Sequence, residues 1–206
     1  MMAPEAIAAV AAECRRLGLW YISDEIYHGL TYERPATTAL AADPDAIVVN
    51  SFSKYYCMTG WRVGWLVVPE RLVRTIERLQ QNFSISVPYL SQVAGEAAFD
   101  AITECEAIKN GYAENRAYLL KALPEIGLDD FLPVDGAFYI YLDIGRYSND
   151  SMSFCRDALE KAGVAITPGL DFDEERGART VRLSFAGSLA ECEEAVARLG
   201  RWLMAR

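Results

Sequence analysis

Lys54 stands in a polar segment in which its amine has neighbours suited to chemistry. The segment follows the apolar run 46–52. Ser51 and Ser53 place two hydroxyls close to Lys54, and Arg62 stands at the start of the next apolar run. Ligands of open α/β sheets bind where the strands end at the carboxyl edge. A lone lysine in such a loop is typically a solvated surface residue. An amine, two hydroxyls and a guanidinium that converge on one loop instead favour an aldehyde that carries a phosphate.

Two more places in the chain combine an apolar run with a polar side chain. Asp24 directly follows the run 19–23, and Tyr27 comes shortly after it. Arg182 lies within the apolar segment 181–185. Taken alone, that arginine is typical of an edge strand, from which a long side chain carries its charge to water.

Glu25 and His28 lie on either side of Tyr27. Glu25 is expected to be a local hydrogen-bond partner rather than a second catalytic acid. The pattern shows no acid paired with His28, so we expect no catalytic role for the only histidine.

The elements that position these residues read as one helix followed by three short strands. Pro4 suits a first helical turn, and Gly18 is a typical stop for the helix between them. The link 53–62 is too short for a parallel crossover, so the second and third strands are predicted to be antiparallel and the sheet mixed. Because the apolar runs are continuous rather than alternating, we expect strands covered on both faces, as in α/β folds. The three predicted strands are 19–23, 46–52 and 63–68.

The rest of the chain predicts a helical stretch and then a compact α+β layer. From about 70 to 123 the pattern is helical, with breaks at 86–88 and near Gly111. The spacing of Ser188 and Glu191 is that of a capping box that opens a last helix. Between these helical regions we predict one helix and three strands: the helix 151–163 and the strands 138–142, 164–166 and 180–185.

The bulk composition excludes several classes of protein. The 206 residues carry 20 Lys and Arg against 29 Asp and Glu, a net charge of −9, which disfavours a nucleic-acid partner. Five cysteines stand singly and there is one histidine, so we expect no metal site and interpret the thiols as reduced, in a cytoplasmic protein. The sequence shows neither a signal peptide nor an apolar stretch of about 18 residues, so neither secretion nor a membrane span is expected.

Six short motifs follow one another along the chain: Asp24-Glu25-Ile26-Tyr27, Ser51-Phe52-Ser53-Lys54, Thr59-Gly60-Trp61-Arg62-Val63-Gly64, Pro133-Val134-Asp135-Gly136-Ala137-Phe138-Tyr139, Thr167-Pro168-Gly169 and Val181-Arg182-Leu183-Ser184-Phe185. In this order and spacing they resemble the class I/II aminotransferases, which are fold-type-I enzymes dependent on pyridoxal 5'-phosphate. Any one motif is weak, but six in order over nearly the whole chain are specific.

The resemblance implies a pyridoxal 5'-phosphate cofactor and three catalytic residues. Lys54 would form the internal aldimine and then act as the base that moves a proton during transamination between an amino acid and a 2-oxo acid. Asp24 would keep the pyridine nitrogen protonated, which makes the ring an electron sink. Tyr27 would hydrogen-bond the phenolic oxygen of the cofactor.

The resemblance also implies the residues that bind phosphate and substrate. Arg62 and Ser51 would hold the phosphate, because a planar guanidinium fork matches a phosphate, and Ser53 is a second candidate for the same task. Arg182 would bind the α-carboxylate of the substrate in a bidentate pair and so place the amino group over the cofactor.

Such a family member is expected to have an α/β fold, of which this chain is the C-terminal half. Residues 1–111 would be the Lys-bearing part of the large domain, with a mixed, mostly parallel sheet and helices, and 112–206 a small α+β C-terminal domain. The family's first half supplies further cofactor contacts, so we expect the isolated chain to be incomplete. The family implies a homodimer acting on small molecules, with no nucleic acid and no membrane as partner.

Two alternatives keep the same residues. A β-lyase of the same fold would use Lys54, Asp24, Tyr27, Arg62 and Arg182 for elimination instead of transamination. A truncated or non-catalytic module that binds the cofactor, such as the effector-sensing domain of some transcription regulators, is the alternative from outside the enzymes.

Overall fold

The computed structural model describes residues 1–205, which divide into two compact units. The first unit is Met1–Ala107, and the second begins at Ile108. The division lies inside a long helix, a few residues before the boundary at 111 that the sequence suggested. Each unit contains one three-stranded sheet.

The first unit begins with the predicted helix and three short strands. The helix ends at Gly18, whose φ of 66° is the left-handed conformation that closes a helix, and a proline occupies its first turn. This helix is therefore confirmed. The elements in chain order are α1 (Pro4–Leu17), β1 (Ile22–Asp24), β2 (Ile47–Ser51), β3 (Gly64–Val67), α2 (Glu70–Phe83), α3 (Tyr89–Ala98) and the first turn of α4 (Ile102–Glu125).

The sheet of the first unit has the order β1-β2-β3. β1 runs parallel to β2, and β2 pairs antiparallel with β3, where Ser51 lies opposite Gly64. A Cβ atom at Gly64 would lie 2.6 Å from the carbonyl oxygen of Asn50, so only glycine allows the two strands to approach this closely. The mixed sheet and the antiparallel second pair are confirmed, although only one of the two strand pairs in this sheet is parallel.

The expectation that these strands are covered on both faces is wrong for this chain. α1, β2 and the segment before β2 form a small core of Ile7, Ala39, Ala46 and Val48. Ile22 on β1 nevertheless stays 62% exposed, and the apolar residues of β3 are mostly exposed as well. An apolar run indicates that a strand is able to be buried. Within residues 1–205, however, too few elements pack on this sheet to cover both of its faces. α2 likewise has no buried residue.

The second unit is an α+β layer around an antiparallel sheet of order β4-β6-β5. The core combines residues from the sheet and the helices, among them Leu123, Ile140, Phe154, Val181, Phe185 and Leu199. After the C-terminal part of α4, its elements are β4 (Tyr139–Asp143), α5 (Ser151–Asp157), β5 (Thr167–Pro168), β6 (Thr180–Ser184) and α6 (Leu189–Met204).

The structure confirms some predicted boundaries of the second unit and corrects others. The capping box that opens α6 is present, because Ser188 and Glu191 each bond the other's backbone N–H. The break predicted at Gly111 is wrong: α4 runs through it, since one glycine costs a helix only about 1 kcal/mol. The strand predicted at 164–166 lies instead at Thr167–Pro168, and a π-helical turn (Ala158–Ala162) prolongs α5 as far as Gly163.

No disulfide links the five cysteines, all of which lie within residues 1–205. Cys105, Cys155 and Cys192 are buried, and burial raises the pKa of the Cys155 thiol to about 11. These thiols are therefore poor nucleophiles. None of the helices that the structure describes is long and apolar enough to cross a membrane.

Candidate active site

The ends of β1 and β2 bring the Asp24 loop and the Lys54 loop to the same edge of the first sheet. The two strands are parallel, with Asp24 opposite Val49, so both carboxyl ends point the same way. The backbone N–H of Glu25 continues the pairing by donating to the Val49 carbonyl at 2.8 Å. Lys54 follows the end of β2 by a few residues, at the same edge.

Lys54 and Tyr27 lie close together at this edge. The Nζ atom of Lys54 is 5.6 Å from the centre of the Tyr27 ring, and both side chains are half-buried. An ammonium at that distance is attracted by the face of an aromatic ring, which holds the flexible lysine side chain near the phenol. The structure therefore brings two of the three predicted catalytic residues together.

Asp24, the third predicted catalytic residue, ends β1 with an exposed side chain. Its Oδ1 atom accepts the backbone N–H of Ile26 at 3.1 Å, which forms a local turn. The turn fixes the carboxylate at the strand end, three residues before Tyr27. The side chain is thus oriented by its own backbone and remains open to a ligand at the sheet edge.

Glu25 is the buried polar centre of this loop. Its carboxylate accepts the backbone N–H of Ala39 at 2.7 Å and the hydroxyls of Thr38 and Ser23 at 3.0 and 3.2 Å. The Nδ1 atom of His28 lies 3.2 Å from the other carboxylate oxygen. The expected local hydrogen-bond role of Glu25 is confirmed, whereas the expectation that His28 has no acidic partner is wrong. The pairing was not visible in the sequence because the burial of Glu25 depends on the segment at 38–39.

Ser51, Ser53 and Arg62 surround the start of the Lys54 loop. The Oγ atoms of Ser51 and Ser53 are 3.0 Å apart, and the Ser51 hydroxyl accepts the Ser53 backbone N–H. The exposed Arg62 has a φ of 53°, the left-handed region that costs a non-glycine residue about 1 kcal/mol or more. Its guanidinium donates to the Thr59 carbonyl at 3.0 Å. Strain of this kind is found where a side chain must be held at a functional site.

An aromatic cluster around Phe52, close to Lys54 in the chain, was not predicted from the sequence. The ring of Phe52 packs on Tyr56, Trp65 and Phe99 with centroids 5.0 to 5.2 Å apart. These contacts join the residues on both sides of Lys54 to β3 and to the end of α3. Aromatic pairs at this distance contribute about 0.5–1.5 kcal/mol each beyond their burial, so they stabilise the loop that carries the lysine.

Arg182 lies in the second unit, on the central strand of its sheet. β6 pairs with β4 on one side and with β5 on the other, so the edge-strand interpretation of this arginine is wrong. Its guanidinium is stacked between the rings of Tyr139 and Phe172, 4.1 Å from each centre. Stacking on two rings fixes the plane of the guanidinium and leaves its edge to bind a carboxylate.

Of the seven predicted site residues, the structure places six in the first unit, at the ends of β1 and β2 or on the loops that follow them: Asp24, Tyr27, Ser51, Ser53, Lys54 and Arg62. Arg182 belongs to the second unit. The six groups comprise an amine, a carboxylate, a phenol, two hydroxyls and a guanidinium, which together match an aldehyde that carries a phosphate and a basic ring nitrogen.

Comparison with known proteins shows the family of this chain. The profile of the family described as aminotransferase class I and II matches residues 1–199. The valine–pyruvate aminotransferase of Mycobacterium tuberculosis is 48% identical over 204 residues, which are 97% of this chain and 53% of that protein. An aspartate aminotransferase of Musicola paradisiaca is 32% identical over 92% of this chain and 48% of its own length.

Solved structures show the same relationship in three dimensions. The crystal structure of an aminotransferase from Mycobacterium tuberculosis superposes with a TM-score of 0.97 at 48% identity, covering all of this chain and 54% of that one. The aspartate aminotransferase of Thermotoga maritima gives a TM-score of 0.90 at 28% identity over 99% of this chain and 53% of its own. The chain thus spans about half the length of the relatives it matches. With nearly every residue inside the family profile, the chain belongs to the class I and II aminotransferases and has part of their fold-type-I architecture.

Proposed function

We propose that this chain is the lysine-bearing part of an enzyme that uses pyridoxal 5'-phosphate to exchange an amino group between an amino acid and a 2-oxo acid. The observation that carries the proposal is the position of the Lys54 amine 5.6 Å from the Tyr27 ring, at the sheet edge where Asp24 ends β1. The names of the relatives, which are aminotransferases for valine with pyruvate and for aspartate, support the reaction type.

The residues at this edge fit the cofactor group by group. Lys54 provides the amine that attaches the aldehyde covalently, and Tyr27 provides a hydroxyl for the phenolic oxygen beside it. Ser51 and Arg62 provide donors for the phosphate, with Ser53 joined to Ser51 through their hydroxyls. When bound, pyridoxal phosphate supplies an electron sink for the charge that develops on the α-carbon of the amino acid.

The protein's own contribution is the placement of protons and charge. Asp24, held by its turn at the end of β1, keeps a proton on the pyridine nitrogen, because a carboxylate stabilises the adjacent positive charge. Lys54 would also be the group that takes and returns the proton at the α-carbon. The buried Phe52 and Ser53 beside it reduce the access of water to the amine.

Arg182 is proposed to bind the α-carboxylate of the substrate. Its guanidinium is held flat between Tyr139 and Phe172, so little rotamer freedom is lost when a carboxylate binds at the open edge. The donor–acceptor pair to test first is valine with pyruvate, after the relative that is 48% identical.

The working form is proposed to be a cytoplasmic homodimer. The proposal of a dimer is based on the family resemblance. The proposal of a cytoplasmic location is based on the five cysteines, which form no disulfide and so fit a reducing compartment.

The test is an assay on a fusion of residues 1–206 with the remaining half of the Mycobacterium tuberculosis valine–pyruvate aminotransferase. With pyridoxal phosphate, valine and pyruvate, the fusion is expected to form alanine and the 2-oxo acid of valine. Other amino acids and 2-oxo acids are then offered in turn. Pyruvate and ammonia released from a cysteine conjugate, with no new amino acid from any pair, would favour the β-lyase. Cofactor binding without either reaction would favour a non-catalytic module.

Two substitutions in this fusion should separate cofactor chemistry from substrate binding. Asp24→Ala is expected to lower turnover by orders of magnitude, because an unprotonated pyridine is a poor electron sink. Arg182→Lys is expected to raise KM roughly tenfold or more and to spare cofactor affinity, since an ammonium cannot form the bidentate pair. Steady-state kinetics and titration with pyridoxal phosphate measure both effects. Equal loss of cofactor from the two variants contradicts this division of roles.

A further inference from the structure

Tyr55, the residue after Lys54, makes a contact that none of the assigned roles uses. Its hydroxyl donates to the Oε1 atom of Glu106 on α4 at 2.6 Å, across 51 positions of the chain. Both residues lie in the first unit. Burial and the neighbouring Glu106 carboxylate raise the pKa of Tyr55 well above its ordinary value, so the hydroxyl stays a donor throughout the physiological range. A hydrogen bond from a neutral donor to a carboxylate is stronger than one between neutral groups.

The ring of Tyr55 also contacts the other half of the site. A Cβ atom at Gly29 would lie 2.6 Å from the Cγ and Cδ2 atoms of Tyr55, so the backbone of Gly29 packs directly on the ring face. Gly29 has a φ of 93°, which only glycine adopts without strain. It stands two residues after Tyr27. The Tyr55 ring therefore fixes how closely the loop with Tyr27 approaches the loop with Lys54.

A lysine side chain is long and flexible. Its amine is therefore placed accurately only if the backbone that carries it is held in place. The 5.6 Å separation between the Lys54 amine and the Tyr27 ring depends on two loops that leave different strands. Tyr55 touches both loops and is bonded to a helix outside them. Errors of about 1 Å at a reacting group can reduce a rate by about a hundredfold.

We propose that Tyr55 is a positioning residue that locks the Lys54 loop against the Asp24–Tyr27 loop, with Glu106 as its anchor. The proposal rests on the proposed function for its effect on cofactor attachment, but not for the coupling of the two loops. It adds to the site two residues that touch neither cofactor nor substrate and act through the placement of Lys54.

The experiment compares Tyr55→Phe, Glu106→Ala and the double variant with the otherwise unaltered fusion protein of the valine–pyruvate assay. Tyr56→Phe is the matched control. The Tyr56 ring meets the Tyr55 ring edge-on with the centroids 5.1 Å apart, but within residues 1–205 its hydroxyl makes no hydrogen bond to α4. Hydrogen exchange of peptides covering 24–30 and 53–57 measures the coupling of the loops. The rate at which pyridoxal phosphate becomes fixed to Lys54 by borohydride, followed across pH, measures the placement of the amine.

Each single variant is expected to speed exchange in both loops by roughly tenfold, and the double variant to do no more than either single one, because all three remove the same bond. The rate of fixation on Lys54 should fall by a similar factor and its pH midpoint should shift, whereas Tyr56→Phe changes neither. Faster exchange confined to 53–57, or the same effect from Tyr56→Phe, overturns the proposal and leaves Tyr55 as ordinary packing. If the otherwise unaltered fusion fixes no cofactor on Lys54, the proposed function loses its support, while exchange in the two loops still decides the role of Tyr55.

Discussion

Replacing Lys54 with alanine is expected to abolish covalent attachment of pyridoxal phosphate and to reduce transamination by about 10²- to 10⁴-fold from the loss of proton transfer alone. The reason is that one amine serves both tasks. The alanine variant has neither the nucleophile that binds the aldehyde nor the base at the α-carbon. The visible absorption of the bound cofactor should therefore disappear together with turnover. Absorbance titration and the valine–pyruvate assay on the fusion protein measure the two losses.

Two controls test whether attachment requires the amine of Lys54 itself. Lys54→Arg keeps the charge but should not restore attachment, because a guanidinium stays protonated at neutral pH and is then not a nucleophile. After borohydride reduction, peptide mapping should find the cofactor on Lys54 and not on the other three lysines, Lys109, Lys121 and Lys161. A stable adduct on any of these three, with Lys54 unmodified, would falsify the assignment.

The 206-residue chain made alone is expected to associate and to show little or no transamination. Its first sheet leaves apolar residues of β1 and β3 in water, with Ile22 62% and Leu66 46% exposed. α2 adds a further apolar surface, because Val73, Leu79 and Phe83 on it are also exposed. Contiguous apolar surface of this kind beside a short edge strand recruits another polypeptide. Light scattering after size exclusion, over a range of concentrations, measures the association.

A charge on the edge strand should weaken this association. Ile22→Lys places an ammonium on β1, which disfavours pairing with a second strand. Met152→Lys is the control, since Met152 is comparably exposed but lies in the second unit. The expected result is a shift toward the monomer for Ile22→Lys only. A monodisperse monomer of the unaltered chain, with turnover close to that of a complete relative, contradicts both parts of the prediction.

Local patterns in the sequence were sufficient for several of the elements, and they indicated the candidate site residues. The predicted link 53–62 excludes a crossover helix by length alone, and β2 and β3 are indeed antiparallel. The capping box at Ser188 and the stop at Gly18 depend on side chains within one turn of the helix end, so they too were predictable. The same holds for the order of the six motifs, which indicated the family that the comparisons show.

Contacts between distant segments were decided only by the tertiary structure. The bond from Tyr55 to Glu106 spans 51 positions, and the buried carboxylate of Glu25 reaches across 14 to the backbone of Ala39. Neither periodicity nor spacing in the sequence predicts such pairs, because each pair depends on how separate segments pack. Burial of the strands could likewise not be predicted from the sequence, since an apolar run has the same residues whether or not another element covers it. The sequence by itself thus indicated the candidate groups and the family. The tertiary structure decided which of these groups lie together at the sheet edge and how firmly Lys54 is held there, because both depend on packing between segments far apart in the chain.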